Sequence, residues 1–194
     1  MNLQAVVSHL HRQAQRIVAD KVSLSPSDAL GLYRVARKWA KPGAVMMEYA
    51  AGWGFSTLCI LSGIGPQEGV RFITTEIDGH CLPVLRELMA GEEVGLWEGD
   101  ARTKPWKGLE IDALFIDSDH QPESVQWYVD VLFPLVRPGG IVVVHDVRDP
   151  RWKSAKDELG IVRLVAADLR MKERLVFTSR ELARIDQLKP WPNS

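Results

Sequence analysis

Short apolar runs flanked by turn residues alternate along this chain with stretches of helical length, and few architectures accommodate that rhythm. The runs are Ala44–Tyr49, Val70–Thr75, Glu93–Trp97, Ala113–Ile116 and Ile141–Val144, each too short for a helix. Between them, Ser56–Ile64, Leu82–Ala90 and Pro122–Leu135 have the composition of crossover helices. A strand that is apolar on both faces needs cover on both faces. The expectation is therefore an α/β fold: a Rossmann-like, doubly wound, mostly parallel sheet with helices on both sides.

The flanks extend this plan. Leu3, Val6, Val7, Leu10, Ala14, Ile17 and Val18 form one stripe of an amphipathic N-terminal helix. Ser25-Pro26-Ser27-Asp28 reads as a capping serine, a first-turn proline and a first-turn acid, opening a second helix that runs to Trp39 and stops at Lys41-Pro42-Gly43. Pro105 and Gly108 limit Ala101–Leu109 to a loop or one short turn. After Asp146, a helix near Trp152–Leu159 and two strand-like runs, Ile161–Ala166 and Arg174–Phe177, suggest an antiparallel pair at the sheet edge. With 194 residues and no long linker, residues 1–194 are expected to form one domain. Within it, 1–42 supply N-terminal helices, 43–147 the binding core and 148–189 the sheet edge, with Pro190–Ser194 as a loose tail.

Composition excludes several classes. Lys and Arg number 24 against 25 Asp and Glu, a net charge of -1, so there is no overall pull toward nucleic acid or anionic lipid. The N-terminus is too polar for a signal peptide, and no run of about 18 apolar residues could span a membrane. Cys59 and Cys81 lack CxxC spacing and read as reduced, buried thiols, which points to a cytoplasmic location.

The most informative stretch is Glu48-Tyr49-Ala50-Ala51-Gly52-Trp53-Gly54-Phe55-Ser56-Thr57, between the first strand and its helix. Small residues at 50, 52 and 54 let a ligand approach the backbone, and the helix start offers free N–H groups. A dinucleotide fingerprint needs a third glycine, but counting from Gly52 that position is Thr57, and from Ala50 it is Phe55, so NAD fits poorly. Glu76 ends the second strand about twenty residues later, where a carboxylate can accept both hydroxyls of a ribose. Gly99-Asp100-Ala101 follows the third strand, bracketed by Trp97 and Trp106, which suit core or rim packing better than stacking on a base.

This ordered series resembles the class I S-adenosylmethionine-dependent methyltransferases, in particular their small O-methyltransferase-like branch, over residues 28–147. It departs at Ala50, where that family usually has its first glycine. The resemblance implies S-adenosylmethionine as donor, held by Glu48, Ala50, Gly52, Gly54, Ser56, Glu76, Ile77, Asp100, Ala101 and Asp117. Within that set Glu48 would lie near the methionine amine and Asp100 near the adenine amine. It further implies a small-molecule acceptor methylated on oxygen.

The fourth strand ends in Asp117-Ser118-Asp119-His120 and the fifth in His145-Asp146, so these acids and histidines converge at the carboxyl ends that border a ligand crevice. His120 is the first candidate for the proton-accepting base, His145 the second, with Asp117 beside them. The metal-dependent members of the resembled family hold magnesium with acids after these two strands, and Asp117 and Asp146 match two of those positions. The third departs, so Mg2+ or another divalent metal is an open expectation; Asp119 could complete an oxygen shell, and His145 would suit manganese or iron better. Two other readings stay open: a nicotinamide-dependent oxidoreductase and a non-catalytic S-adenosylmethionine-binding protein. The N-terminal helix could also pair two subunits into a homodimer.

Overall fold

The computed structural model describes residues 24–66, 68–90, 94–118, 124, 127–145 and 175–178. Six strands form one sheet in the order β3-β2-β1-β4-β5-β6: β1 (Val45–Tyr49), β2 (Arg71–Glu76), β3 (Val94–Glu98), β4 (Ile111–Ile116), β5 (Val136–Val144) and β6 (Leu175–Thr178). All five neighbouring pairs are parallel.

The helices in the described residues are α1 (Pro26–Trp39), α2 (Phe55–Ile64) and α3 (Leu82–Leu88). Ser25 caps α1, its hydroxyl accepting the Asp28 N–H at 3.2 Å and donating to Asp28 Oδ2 at 2.6 Å. A short 3-10 turn, Ala101–Thr103, occupies the proline- and glycine-limited stretch.

Period-two alternation along the strands divides the core. Met46, Phe72, Ala113, Phe115, Ile141 and Val143 pack with α1 and α2, while Met47, Leu114, Ile116, Val142 and Val144 pack with Tyr128, Leu132, Phe133 and Trp106 on the opposite face. All six residues of β4 are buried, as a central strand covered on both sides requires. Gly63 brings α1 and α2 together, since a Cβ there would lie 2.4 Å from the Tyr33 carbonyl oxygen.

Three sequence expectations are revised. The C-terminal edge strand is parallel to β5, not antiparallel: Ile141 pairs with Leu175 and Val144 with Thr178 in the same direction. Val144 and Leu175 are about thirty residues apart, enough chain for the crossover that a parallel neighbour demands. The crossover before β5 ends in a π-helical turn, Tyr128–Leu132, and a 3-10 turn, Phe133–Leu135. Pro134 supplies no N–H, and its ring crowds the preceding turn, so regular α-helical bonding cannot continue. Finally, β5 begins at Val136, five residues early, with an irregularity in its pairing to β4 around Ile111 and Ala113. The helix expected over 3–19, the helix near Trp152–Leu159 and the run Ile161–Ala166 lie outside the described residues. No helix in the described residues is long and apolar enough to cross a membrane.

Candidate functional site

Strand order reverses direction at β1 and β4, so the chain leaving β1 turns one way and the chain leaving β4 the other, opening a crevice above their carboxyl ends. The first wall is the turn from β1 into α2. Ala50 takes the left-handed conformation, φ 68°, which costs a side-chain-bearing residue about 1–2 kcal/mol. Two bonds from β2 hold the turn: the Ala50 N–H donates to Thr75 Oγ1 at 3.2 Å and the Ala51 N–H to the Thr75 carbonyl at 2.9 Å. The backbone thus adopts at Ala50 the geometry for which glycine is suited, although glycine is absent.

Gly52 and Gly54 also have positive φ, 53° and 84°, but for different surroundings. A Cβ at Gly52 would meet open space; one at Gly54 would lie 2.5 Å from Leu88 Cδ1 and 2.9 Å from Leu85 Cδ2. Gly54 therefore serves the packing of α3 against the turn.

Glu76 faces this loop from the end of β2. Its Oε2 accepts the Gly52 N–H at 2.6 Å, and its Oε1 accepts the N–H groups of Ile77 at 2.8 Å and Asp78 at 2.7 Å. Three backbone donors fix a carboxylate that is only 6% exposed. The next residue, Ile77, is 64% exposed, the one large apolar side chain so open among the described residues. Together with Tyr49, Ala50, Thr75, Gly99, Asp100, Ala101, Arg102 and Ser118, they line a solvent-open cleft of about 130 Å³.

Asp100 begins the 3-10 turn and is engaged by Arg102 through both its backbone N–H and its guanidinium. The Arg102 side-chain bonds hold the Asp100 carboxyl below its usual range. Trp97 and Trp106 lie outside the cleft lining; Trp106 is buried in the core of the second sheet face, and Trp97 packs half-buried against it. The Trp106 Nε1 donates to the Ala101 carbonyl at 2.7 Å, and the Lys104 ammonium sits 4.3 Å and 4.7 Å from the two ring centroids.

A second, inner chamber lies between α1 and the strand ends, lined by Asp28, Glu48, Ser56, Asp117 and His145 with Leu24, Leu32, Phe115, Ile116 and Val143. Glu48 is 2% exposed; its Oε2 accepts the hydroxyls of Thr57 at 2.6 Å and Thr74 at 2.8 Å. Its Oε1 has no partner of hydrogen-bonding geometry among the described residues. Burial pushes the Glu48 carboxyl up, beyond what the Ser56, Thr57 and Thr74 hydroxyls restore.

His145 sits between two carboxylates, its Nδ1 3.2 Å from Asp117 Oδ1 and its Nε2 3.7 Å from Asp28 Oδ2. Burial raises the Asp28 carboxyl, but bonds from His145 and Ser25 and the His145 charge outweigh it and leave the group below its ordinary value. From the sequence Asp28 is an acid in the first turn of α1. The Ser25-x-x-Asp28 spacing gave the cap, but nothing in it signalled the neighbouring imidazole.

The expected residues thus fall into two groups. Ala50, Glu76, Ile77, Asp100 and Ala101 meet at the outer cleft; Glu48, Ser56, Asp117 and His145 meet at the inner chamber. Gly52 joins the first group through Glu76. His120, Asp119 and Asp146 lie outside the described residues. Among the described residues no three His, Cys, Asp or Glu side chains converge to hold a metal ion, and the Asp117 carboxylate is engaged with His145. Cys59 and Cys81 are buried and unpaired with one another, and burial pushes the Cys59 thiol up. His80 is exposed, and His9 and His11 lie outside the described residues.

A family model described as a methyltransferase domain matches residues 51–147. Among solved structures, an O-methyltransferase from Bacillus cereus in complex with S-adenosylhomocysteine superimposes with a TM-score of 0.63 at 19% identity, covering 85% of this chain and 80% of that one. The O-methyltransferase TomG from Streptomyces achromogenes, in complex with S-adenosylmethionine, gives 0.59 at 20% identity, covering 87% and 79%. An S-adenosylhomocysteine-bound methyltransferase from Podospora anserina gives 0.61 at 20% identity, covering 87% and 80%. At these identities the likeness shows the fold. No curated protein sequence matches significantly.

Proposed function

The chain belongs to the methyltransferase-domain family, and from that premise we propose that it transfers a methyl group from S-adenosylmethionine to an oxygen atom of a small molecule. The observation that carries the donor assignment is the Glu76 carboxylate, held by three backbone N–H groups beside the left-handed Ala50–Gly52 turn and the exposed Ile77. A rigid acceptor pair next to an uncovered apolar side chain suits a ribose joined to a planar base. Solved relatives of the same fold, in complex with S-adenosylmethionine or S-adenosylhomocysteine, support the choice.

The donor fits the residues present. Glu76 accepts from the ribose hydroxyls, Ile77 covers the base, Ala50 and Gly52 keep the turn free of bulk, and Ala101 and Asp100 border the base; Gly54, expected on this side from the sequence, serves the packing of α3 instead. Glu48, with an oxygen unmatched in a buried chamber, receives the ammonium of the amino-acid end; Ser56 and Asp117 complete that side. When bound, the donor supplies an electrophilic methyl group on a sulfonium.

The protein's remaining task is to orient the acceptor hydroxyl and remove its proton. His145 is the base in this reading: Asp117 fixes the ring through Nδ1, and Asp28 and Asp117 favour the imidazolium that forms on proton uptake. His120, expected first from the sequence, is retained as the alternative base. No step is routed through a divalent ion at Asp117 and Asp146.

Calorimetric titration of the protein with S-adenosylhomocysteine, with added magnesium and after chelation, tests the reading without knowledge of the acceptor. Micromolar binding that chelation leaves unchanged, with no binding of NADH, is expected. Binding of NADH without S-adenosylhomocysteine would establish the oxidoreductase reading instead. Donor binding with no label transferred from methyl-labelled donor to any phenol or alcohol tried would favour a binding protein.

A further inference from the structure

Resting on the donor reading above, we propose that Arg102 is an adenine-binding residue, its guanidinium locked flat by Asp100 to form one wall of a slot whose other wall is Ile77. Among the described residues Arg102 is the one cation lining a cleft whose two carboxylates are Glu76 and Asp100. Its Nε lies 3.0 Å from Asp100 Oδ1 and 3.1 Å from Oδ2, and its Nη2 lies 3.0 Å from Oδ2. The Arg102 backbone N–H adds a bond to Oδ1 at 2.9 Å. An exposed arginine ordinarily samples many rotamers; this one is tied to a carboxylate two residues away along an edge of its fork.

The support beneath the pair is itself fixed. The Asp100 carbonyl accepts the Thr103 hydroxyl at 2.7 Å and the Thr103 N–H at 3.0 Å, and the buried Trp106 ties down the Ala101 carbonyl. With one edge of the guanidinium spent on Asp100, its flat faces are what it can offer a ligand. Guanidinium faces are weakly hydrated and stack on aromatic rings. Ile77, 64% exposed on the same cleft, offers an apolar surface that a ring would cover. Asp100 then acts chiefly as the anchor of Arg102, and the pair presents no net charge to a neutral purine.

The test compares binding of S-adenosylhomocysteine and 5′-methylthioadenosine, which keeps the base and ribose but lacks the amino-acid end, to wild type, Arg102→Ala and Arg102→Lys. Arg86→Ala, which breaks an exposed ion pair with Glu98 outside the cleft lining, is the control. Both Arg102 variants are expected to lose about tenfold in affinity, equally for the two ligands, with Arg86→Ala unchanged. Lysine keeps the charge but not the plane, so affinity retained in Arg102→Lys and lost in Arg102→Ala would overturn stacking in favour of charge. Both variants within twofold of wild type would overturn any role for Arg102. Wild-type protein that binds neither ligand would fail the donor reading itself, a result separable from the other two.

Discussion

Replacing Glu76 by glutamine probes the tightest contact of the donor loop. The carboxylate presents two acceptor oxygens, one to Gly52 and one shared by Ile77 and Asp78. Glutamine has a single acceptor. If it keeps Ile77 and Asp78, its amide nitrogen faces the Gly52 N–H across a gap of 2.6 Å in wild type, and two donors repel. If it turns over, two N–H groups lose their acceptor instead, so the first arrangement costs less. The amide also turns a donor toward one ribose hydroxyl in place of an acceptor; losing that bond to a charged group costs about 1.5–3 kcal/mol of binding, while the repulsion displaces Gly52 from the turn. With a tenfold change for about 1.4 kcal/mol, S-adenosylhomocysteine binding should weaken by about ten- to a hundredfold. Alanine strips the acceptor from all three donors and should additionally lower folding stability by about 2–4 kcal/mol, since water reaches only part of this site. Calorimetric titration alongside urea unfolding separates the two effects. A glutamine variant binding within twofold of wild type would refute the claim that the Glu76–Gly52 bond shapes the donor site.

Glu48→Gln should make the protein more stable at neutral pH by about 1–3 kcal/mol. Burial raises the folded pKa above the ordinary 4.5, so the folded chain keeps a proton that the unfolded chain has released, and wild-type stability falls as pH rises through that window. Urea midpoints across the acid-to-neutral range should slope less in the variant; parallel slopes would contradict the reasoning. Ala50→Gly should stabilise the fold by about 0.5–1 kcal/mol, relief of left-handed strain exceeding the added freedom of the unfolded chain, as read from thermal unfolding. Gly63→Ala should cost about 1–3 kcal/mol, because its Cβ would press on the Tyr33 carbonyl and on Ala36 Cβ, 2.4 Å and 2.7 Å away, and force α1 from α2.

The outer cleft was more legible than the inner chamber. The Ala50–Gly52 turn, Glu76 and Asp100 each stand at a strand end, as Glu48 does in the inner chamber, and strand ends follow from short apolar runs read one at a time. Their chemistry is local, since a carboxylate at the end of a parallel strand meets the crevice whichever helices cover the sheet. Asp28 had no such signal. It lies 117 residues from His145 in sequence, and its place in the first turn of α1 beside the Ser25 cap fully accounts for it until α1 is seen resting over the strand ends. The two tryptophans around Asp100 show the reverse limit: their proximity in sequence says nothing of which face they choose, and packing sends Trp106 into the core and Trp97 against its edge.

By itself the sequence determined the alternation of strand and helix, the turn that follows β1 and the acids at the ends of β1 and β2, because each depends on near neighbours along the chain. Only the tertiary structure decided that the last edge strand runs parallel, that Gly54 answers to Leu85 and Leu88, and that His145 stands between Asp28 and Asp117. Those outcomes depend on which distant surfaces meet, and burial and hydrogen bonding settle them only once the sheet and its covering helices are assembled.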